Sequence, residues 1–156
     1  MHPTSDQPAI RETLARMESG WAEFFGRVRA MRRERLEHRR DYGQWTRKQM
    51  LAHIGVWHEL TTERLAALAE TGQPSGPDEH EDIINARAAR AADGRTTGEV
   101  LLELEASYRR LYRQVERMTD AQLALHDDWA AAVIAGNSYG HYTQHLQDLE
   151  AAPGEH

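Results

Sequence analysis

The stretch Trp45-Thr46-Arg47-Lys48-Gln49-Met50-Leu51-Ala52-His53-Ile54-Gly55-Val56-Trp57 carries a complete helix start signal. Thr46 stands as N-cap, Gln49 at the third helical position completes a capping box, and Trp45 with Met50 forms a hydrophobic staple. The spacing predicts a helix that begins within a residue of Arg47. Apolar positions Met50, Ile54, Trp57, Leu60, Leu65 and Leu68 carry it to about Glu70, and Thr71-Gly72-Gln73-Pro74 ends it. His53 shares the Met50, Ile54 and Trp57 face, so it points inward.

Working outward, Ile10, Leu14, Met17, Trp21, Phe24, Phe25 and Val28 step by three and four, which predicts an amphipathic first helix over residues 8 to 36. Asp41-Tyr42-Gly43-Gln44 connects it to the second. An acidic loop runs to Asp82, and Ile83 to Ala92 reads as a short helix stopped at Asp93-Gly94. Thr96 and Glu99 form another capping box, opening a third long helix that runs to about Met118 on Val100, Leu101, Leu104, Tyr108, Leu111 and Val115. Thr119 with Gln122 caps a brief helical turn to Leu125, and Trp129, Val133 and Ile134 mark a short piece before Gly136. Asn137 reads as the N-cap of a last helix that ends before Pro153-Gly154. With no strand alternation and no repeat, the expectation is an all-α four-helix bundle with short extra helices in its connections. It would be one domain over residues 1–156, with an ordered core at about 8–151.

The chain has no cysteine, which excludes disulfides, a thiolate nucleophile and cysteine metal ligands. No basic or apolar leader opens it, and no stretch approaches the ~18 apolar residues of a membrane span, so a cytoplasmic protein with no membrane partner is expected. Net charge is −6, yet Arg27 to Arg40 holds seven arginines against Glu34 and Glu37. Without interleaved aromatic residues this run is read as helix-end solvation and dipole matching, not as a nucleic-acid surface.

His141 and His145 lie four apart on the last helix, one above the other and close enough to share an ion. A third ligand must come from another helix, and His53 is the candidate. Three imidazoles suit a borderline divalent metal and leave a coordination position for water or substrate. His58 lies about 140° round the helix from His53 and is not expected to share its ion. Asp148, seven residues after His141, is on its face as an acceptor for an imidazole N–H or as a plain surface carboxylate. Gly136-Asn137-Ser138-Tyr139-Gly140 matches the five-letter nucleophile-elbow pattern, but no strand precedes it and the match is accidental.

With these residues placed, the chain resembles the DinB/YfiT-like superfamily, which includes mycothiol-dependent maleylpyruvate isomerases and bacillithiol transferases. The marks are Trp45-Thr46 with Leu51-Ala52-His53-Ile54 and Trp57, Asp82-Ile83-Ile84-Asn85-Ala86 through Glu99-Val100-Leu101, and Asn137-Ser138-Tyr139-Gly140-His141-Tyr142 with His145. The middle stretch is also similar to a group of domains that contains colibactin self-protection proteins. The resemblance implies an up-down-down-up bundle, often a homodimer, with a divalent ion, commonly Zn²⁺ or Ni²⁺, on His53, His141 and His145. Trp57, Tyr142 and Asn85 are candidates for the pocket wall, with core packing the more ordinary role for Trp57 and Tyr142. It further implies a transferase using a low-molecular-weight thiol cosubstrate on a small-molecule substrate. The alternatives are a metal-assisted hydrolase, for which no general base stands out, and a dimeric stress-response protein that sequesters a small molecule. No catalytic residue can be named from the sequence.

Overall fold

At the head of the second long helix the Thr46 hydroxyl accepts from the Gln49 backbone N–H (3.0 Å), and the Gln49 side chain accepts from the Thr46 N–H (2.9 Å). These bonds satisfy two of the donors that a helix start leaves orphaned. The Gln49 amide then donates to Asp93 (3.0 Å), tying this end to a neighbouring helix. The computed structural model describes residues 6–39 and 45–150. The expected connection at Asp41–Gln44 and the stop at Pro153-Gly154 lie outside them.

Among the described residues the order is α1 (Pro8–Ala30), α2 (Arg33–Glu37), α3 (Arg47–Thr71), α4 (Glu81–Asp93), α5 (Thr97–Glu116), α6 (Asp120–Asn137) and α7 (Tyr139–Glu150). No strand forms among them. The capping boxes at Thr96/Glu99 and Thr119/Gln122 are both made. Gly72, at φ +75°, closes α3 by donating to the Leu68 carbonyl, the left-handed cap that glycine adopts at least cost.

The bundle is built from α1, α3, α5 and the α6–α7 pair. α3 packs on α5 and α4, while α1 packs on α7, α5 and α6. Their inward stripes merge in one apolar core that includes Met17, Phe24, Leu51, Leu65, Leu111 and Ile134. Gly20 lets α1 and α7 approach closely, since a Cβ there would lie 2.8 Å from the Tyr139 Cβ.

Three expectations need correction. The first helix does not run to residue 36: Met31 and Arg32 are extended, and α2 follows. The break turns Leu36 back into the core, at 1% exposure, where a straight helix would carry it past the bundle's end. Asn137 closes α6 instead of capping α7, its amide donating to the Val133 carbonyl (2.9 Å). Ser138 makes the elbow, its carbonyl accepting the Tyr142 N–H (2.8 Å) and its hydroxyl bonding back to Ile134 (2.5 Å). The α4 helix starts at Glu81, before Ile83, because the His80 ring accepts from the Asp82 N–H (3.1 Å) as its cap.

Inside α6, His126, Asp127 and Asp128 all take positive φ, a left-handed turn between two right-handed pieces. Each non-glycine residue there costs roughly 1–2 kcal/mol. The turn is pinned where the His126 ring donates to the Gly72 carbonyl (2.7 Å).

Candidate metal centre

The elbow between α6 and α7 sets the height of the last helix, and α3 faces it across the core. The pairings 47 with 149, 53 with 141 and 58 with 142 show that α3 and α7 run antiparallel. His53 from the second turn of α3 and His141 from the first turn of α7 are buried, and His145 is nearly so. Their ring nitrogens converge: His141 Nε2 lies 3.2 Å from His53 Nε2 and 3.0 Å from His145 Nε2. One ligand atom from each residue fits within 4.8 Å of the others, a group that can hold a metal ion.

The surrounding hydrogen bonds decide which ring nitrogens carry protons. The indole N–H of Trp57 can only donate, so the Asn85 atom 2.7 Å from it is the carbonyl oxygen. That same oxygen is 2.9 Å from His53 Nδ1, which must therefore bear the proton, leaving Nε2 a bare lone pair aimed at the other two rings. His145 repeats the pattern on a carboxylate, with Nδ1 3.3 Å from Asp148. Asp148 thus serves the residue three before it, not His141.

Burial lowers all three basicities. His53 falls to about 4 through desolvation and the nearby His145, against the Asn85 bond that raises it. His141 falls to about 3 through desolvation and its two neighbours, and desolvation lowers His145 despite Asp148. The rings are neutral at pH 7, the form that binds metals.

Two tests of fit can be made on these atoms. Nitrogens placed tetrahedrally about 2.0–2.1 Å from a zinc-like ion lie roughly 3.3 Å apart, close to the 3.2 and 3.0 Å from His141 to His53 and His145. Without an electrophile in their midst, one Nε2 proton at most serves three facing nitrogens. Buried Nδ1 of His141 is left without a hydrogen-bond partner in either tautomer. The donor set and its spacing fit a divalent ion.

The triad forms the floor of an open cavity of about 500 Å³. Trp45 and Trp57 line it with Asn85 and Glu81 from α4, Asn137 from the end of α6 and Gln144 from α7. The Trp45 ring lies 5.2 Å from that of His53. Trp57 and Asn85 therefore stand where the sequence suggests. Tyr142 does not: it is 1% exposed in the core, stacked on Phe24 at 5.2 Å. Adjacent helical residues point about 100° apart, so Tyr142 cannot share the face that His141 turns to the cavity.

Tyr142 meets His58 instead. His58 is fully buried, with Nδ1 2.8 Å from the Ser107 Oγ and Nε2 2.6 Å from the Tyr142 hydroxyl. Ser107 spends its own proton on the Leu104 carbonyl (2.8 Å), so His58 Nδ1–H donates to Ser107 and Nε2 accepts from Tyr142. Burial keeps the Tyr142 hydroxyl protonated by raising its pKa well above the usual value.

Glu81, Trp45 and Gln144 are site residues the sequence did not point to. Glu81 sits in an acidic loop-to-helix start with nothing local to mark it, and only the packing of α4 on α3 brings it to the cavity.

The profile of the DinB superfamily matches residues 16–148. Searches of the curated proteins and of the solved structures return no match.

Proposed function

The chain belongs to the DinB superfamily, and from that premise we propose that it is a divalent-metal-dependent transferase that uses a low-molecular-weight thiol cosubstrate on a small electrophile. The observation that carries this reading is the meeting of three neutral imidazoles, two with their protons directed outward, at the floor of an open cavity. His53, His141 and His145 would hold the ion, Zn²⁺ or Ni²⁺. When bound, such an ion supplies a Lewis acid that keeps a thiol deprotonated near neutral pH.

The protein's own residues do the rest. Asn85 and Asp148 fix the orientation of two ligand rings, and the indoles of Trp45 and Trp57 shield the cavity wall from water. The absence of cysteine agrees with a nucleophilic sulfur supplied from outside. The test begins with metal content of tag-free protein after incubation with Zn²⁺ or Ni²⁺. About one equivalent is expected, falling to near zero in His141→Ala; less than a tenth of an equivalent in the unaltered chain sinks the proposal. A screen of small thiols against electrophilic acceptors then reads transfer.

Glu81 favours a second reading, a metal-assisted hydrolase, because a carboxylate in the cavity wall can take a proton from an attacking water. Turnover without any thiol, lost in Glu81→Gln, would put hydrolysis first. A homodimer belongs to the same proposal by family, and light scattering that finds a monomer at micromolar concentration refutes it.

A further inference from the structure

The two helices that carry the triad share little of their backbones: α7 rests chiefly on α1 and α6, while α3 rests on α5 and α4. Side chains must therefore set the register between them. Two buried tethers do so, one on each side of His53 along α3. At one end Arg47, fully buried at the start of α3, donates from Nε to the Leu149 carbonyl (2.7 Å). At the other the Tyr142 hydroxyl donates to His58 (2.6 Å).

We infer that His58 and Tyr142 are positioning residues of the metal centre, holding α7 at the height on α3 where His141 and His145 meet His53. Neither touches the ion's position. The inference rests on the metal reading above, and three features of the geometry support it. The pair joins the same two helices that supply the ligands, and Tyr142 follows His141 directly in sequence. His58 is anchored in turn to α5 through Ser107 and the Leu104 carbonyl, so the reference point is the bundle and not a free rotamer. The rings around the pair are packed: Trp21 lies 5.9 Å from His58 and 5.7 Å from Tyr142, and stacks on Tyr108 at 4.3 Å. A hydrogen bond held in such a place has one length and one direction, and slippage of α7 must break it.

The experiment compares Tyr142→Phe and the double variant His58→Leu/Tyr142→Phe with the unaltered chain. Zn²⁺ affinity is measured by chelator competition, the visible absorption of the Co²⁺ adduct by spectroscopy, and folding by thermal melting. The single variant strands the buried His58 Nε2 and is expected to bind about tenfold more weakly or worse, the usual range for groups that orient ligands. The double variant removes both polar partners and should recover much of the melting temperature, because no buried group is left unsatisfied. Its affinity is expected to stay low and its Co²⁺ spectrum to stay altered, since the register lock is still missing. Affinity and spectrum that recover together with stability would overturn the inference, as would a Tyr142→Phe chain that binds as tightly as the unaltered one. An unaltered chain that binds no Zn²⁺ brings down the metal reading and this inference together, whereas the other outcomes touch the inference alone.

Discussion

At the scale of single residues, the histidines divide into two sets by where their nitrogens point. His53, His141 and His145 turn their Nε2 atoms to one another, while both nitrogens of His58 are spent inside the core. Acid stability should report this difference. Burial holds His58 at about 3, against an ordinary 6.5 in the unfolded chain. Between these values the unfolded state binds more protons than the native state, so stability is complete above pH 6.5 and falls as the pH drops toward 3. Each such group takes away up to about 1.4 kcal/mol per pH unit inside that window. Urea unfolding in the presence of a chelator should show the midpoint dropping from pH 6.5 to 4.5. In the chain without His58 and Tyr142 the slope should be shallower; equal slopes would refute the assignment. The meeting of the three histidines was legible because helical spacing aligns His141 with His145 and turns His53 inward. Glu81 gained its place only through packing of α4, which no local pattern encodes, and Asn85 was reached through the family resemblance alone. Tyr142 takes the ordinary role of a core aromatic and not that of a pocket wall, as the 100° step from His141 requires.

At the scale of elements, the three capping boxes were readable, and the bend after the first helix and the start of the last helix were not. Thr46/Gln49, Thr96/Glu99 and Thr119/Gln122 act over three residues, so each box announces itself in the sequence and forms as expected. The bend at Met31–Arg32 is decided by the need to bury Leu36, whereas the interruption expected between Leu125 and Trp129 forms as a left-handed turn at His126–Asp128 that contains no glycine. Glycine chemistry gives a sharp test of the elbow. Ala in place of Gly inside an open helix ordinarily stabilises by about 0.5–1 kcal/mol, and Gly26→Ala, with nothing within 4 Å of the added carbon, should do so. At Gly140 the same carbon would lie 2.7 Å from the Ala135 carbonyl oxygen. Gly140→Ala is therefore expected to destabilise by roughly 1–3 kcal/mol and to weaken ion binding by tilting α7. Thermal melts of the two variants should move in opposite directions; a stabilised Gly140→Ala would show that the elbow is open.

At the scale of the whole molecule, the arginine run serves the bundle's closure. Arg27 bonds the Glu150 carboxylate (3.1 Å), Arg35 its carbonyl (2.9 Å), and buried Arg47 the carbonyl of Leu149. Cations from three elements thus meet the negative end of the α7 dipole, where the sequence suggested only each helix's own end. No helix among the described residues is long and apolar enough to cross a membrane. A ligand that binds the native state alone raises its stability, by about 2.7 kcal/mol at a hundredfold excess over Kd. For a chain of this size that is roughly 5–11 °C in melting temperature, at about 2–4 °C per kcal/mol. Scanning calorimetry with Zn²⁺ and then with a chelator should show the rise and its reversal; an unchanged melt would mean that no ion is held by the folded state. His53 and His141 stand 88 positions apart, and the chain has no cysteine. An ion shared between them would cross-link the folded chain over that distance, where no disulfide can form. Unlike a disulfide, it can be opened and remade without breaking a covalent bond.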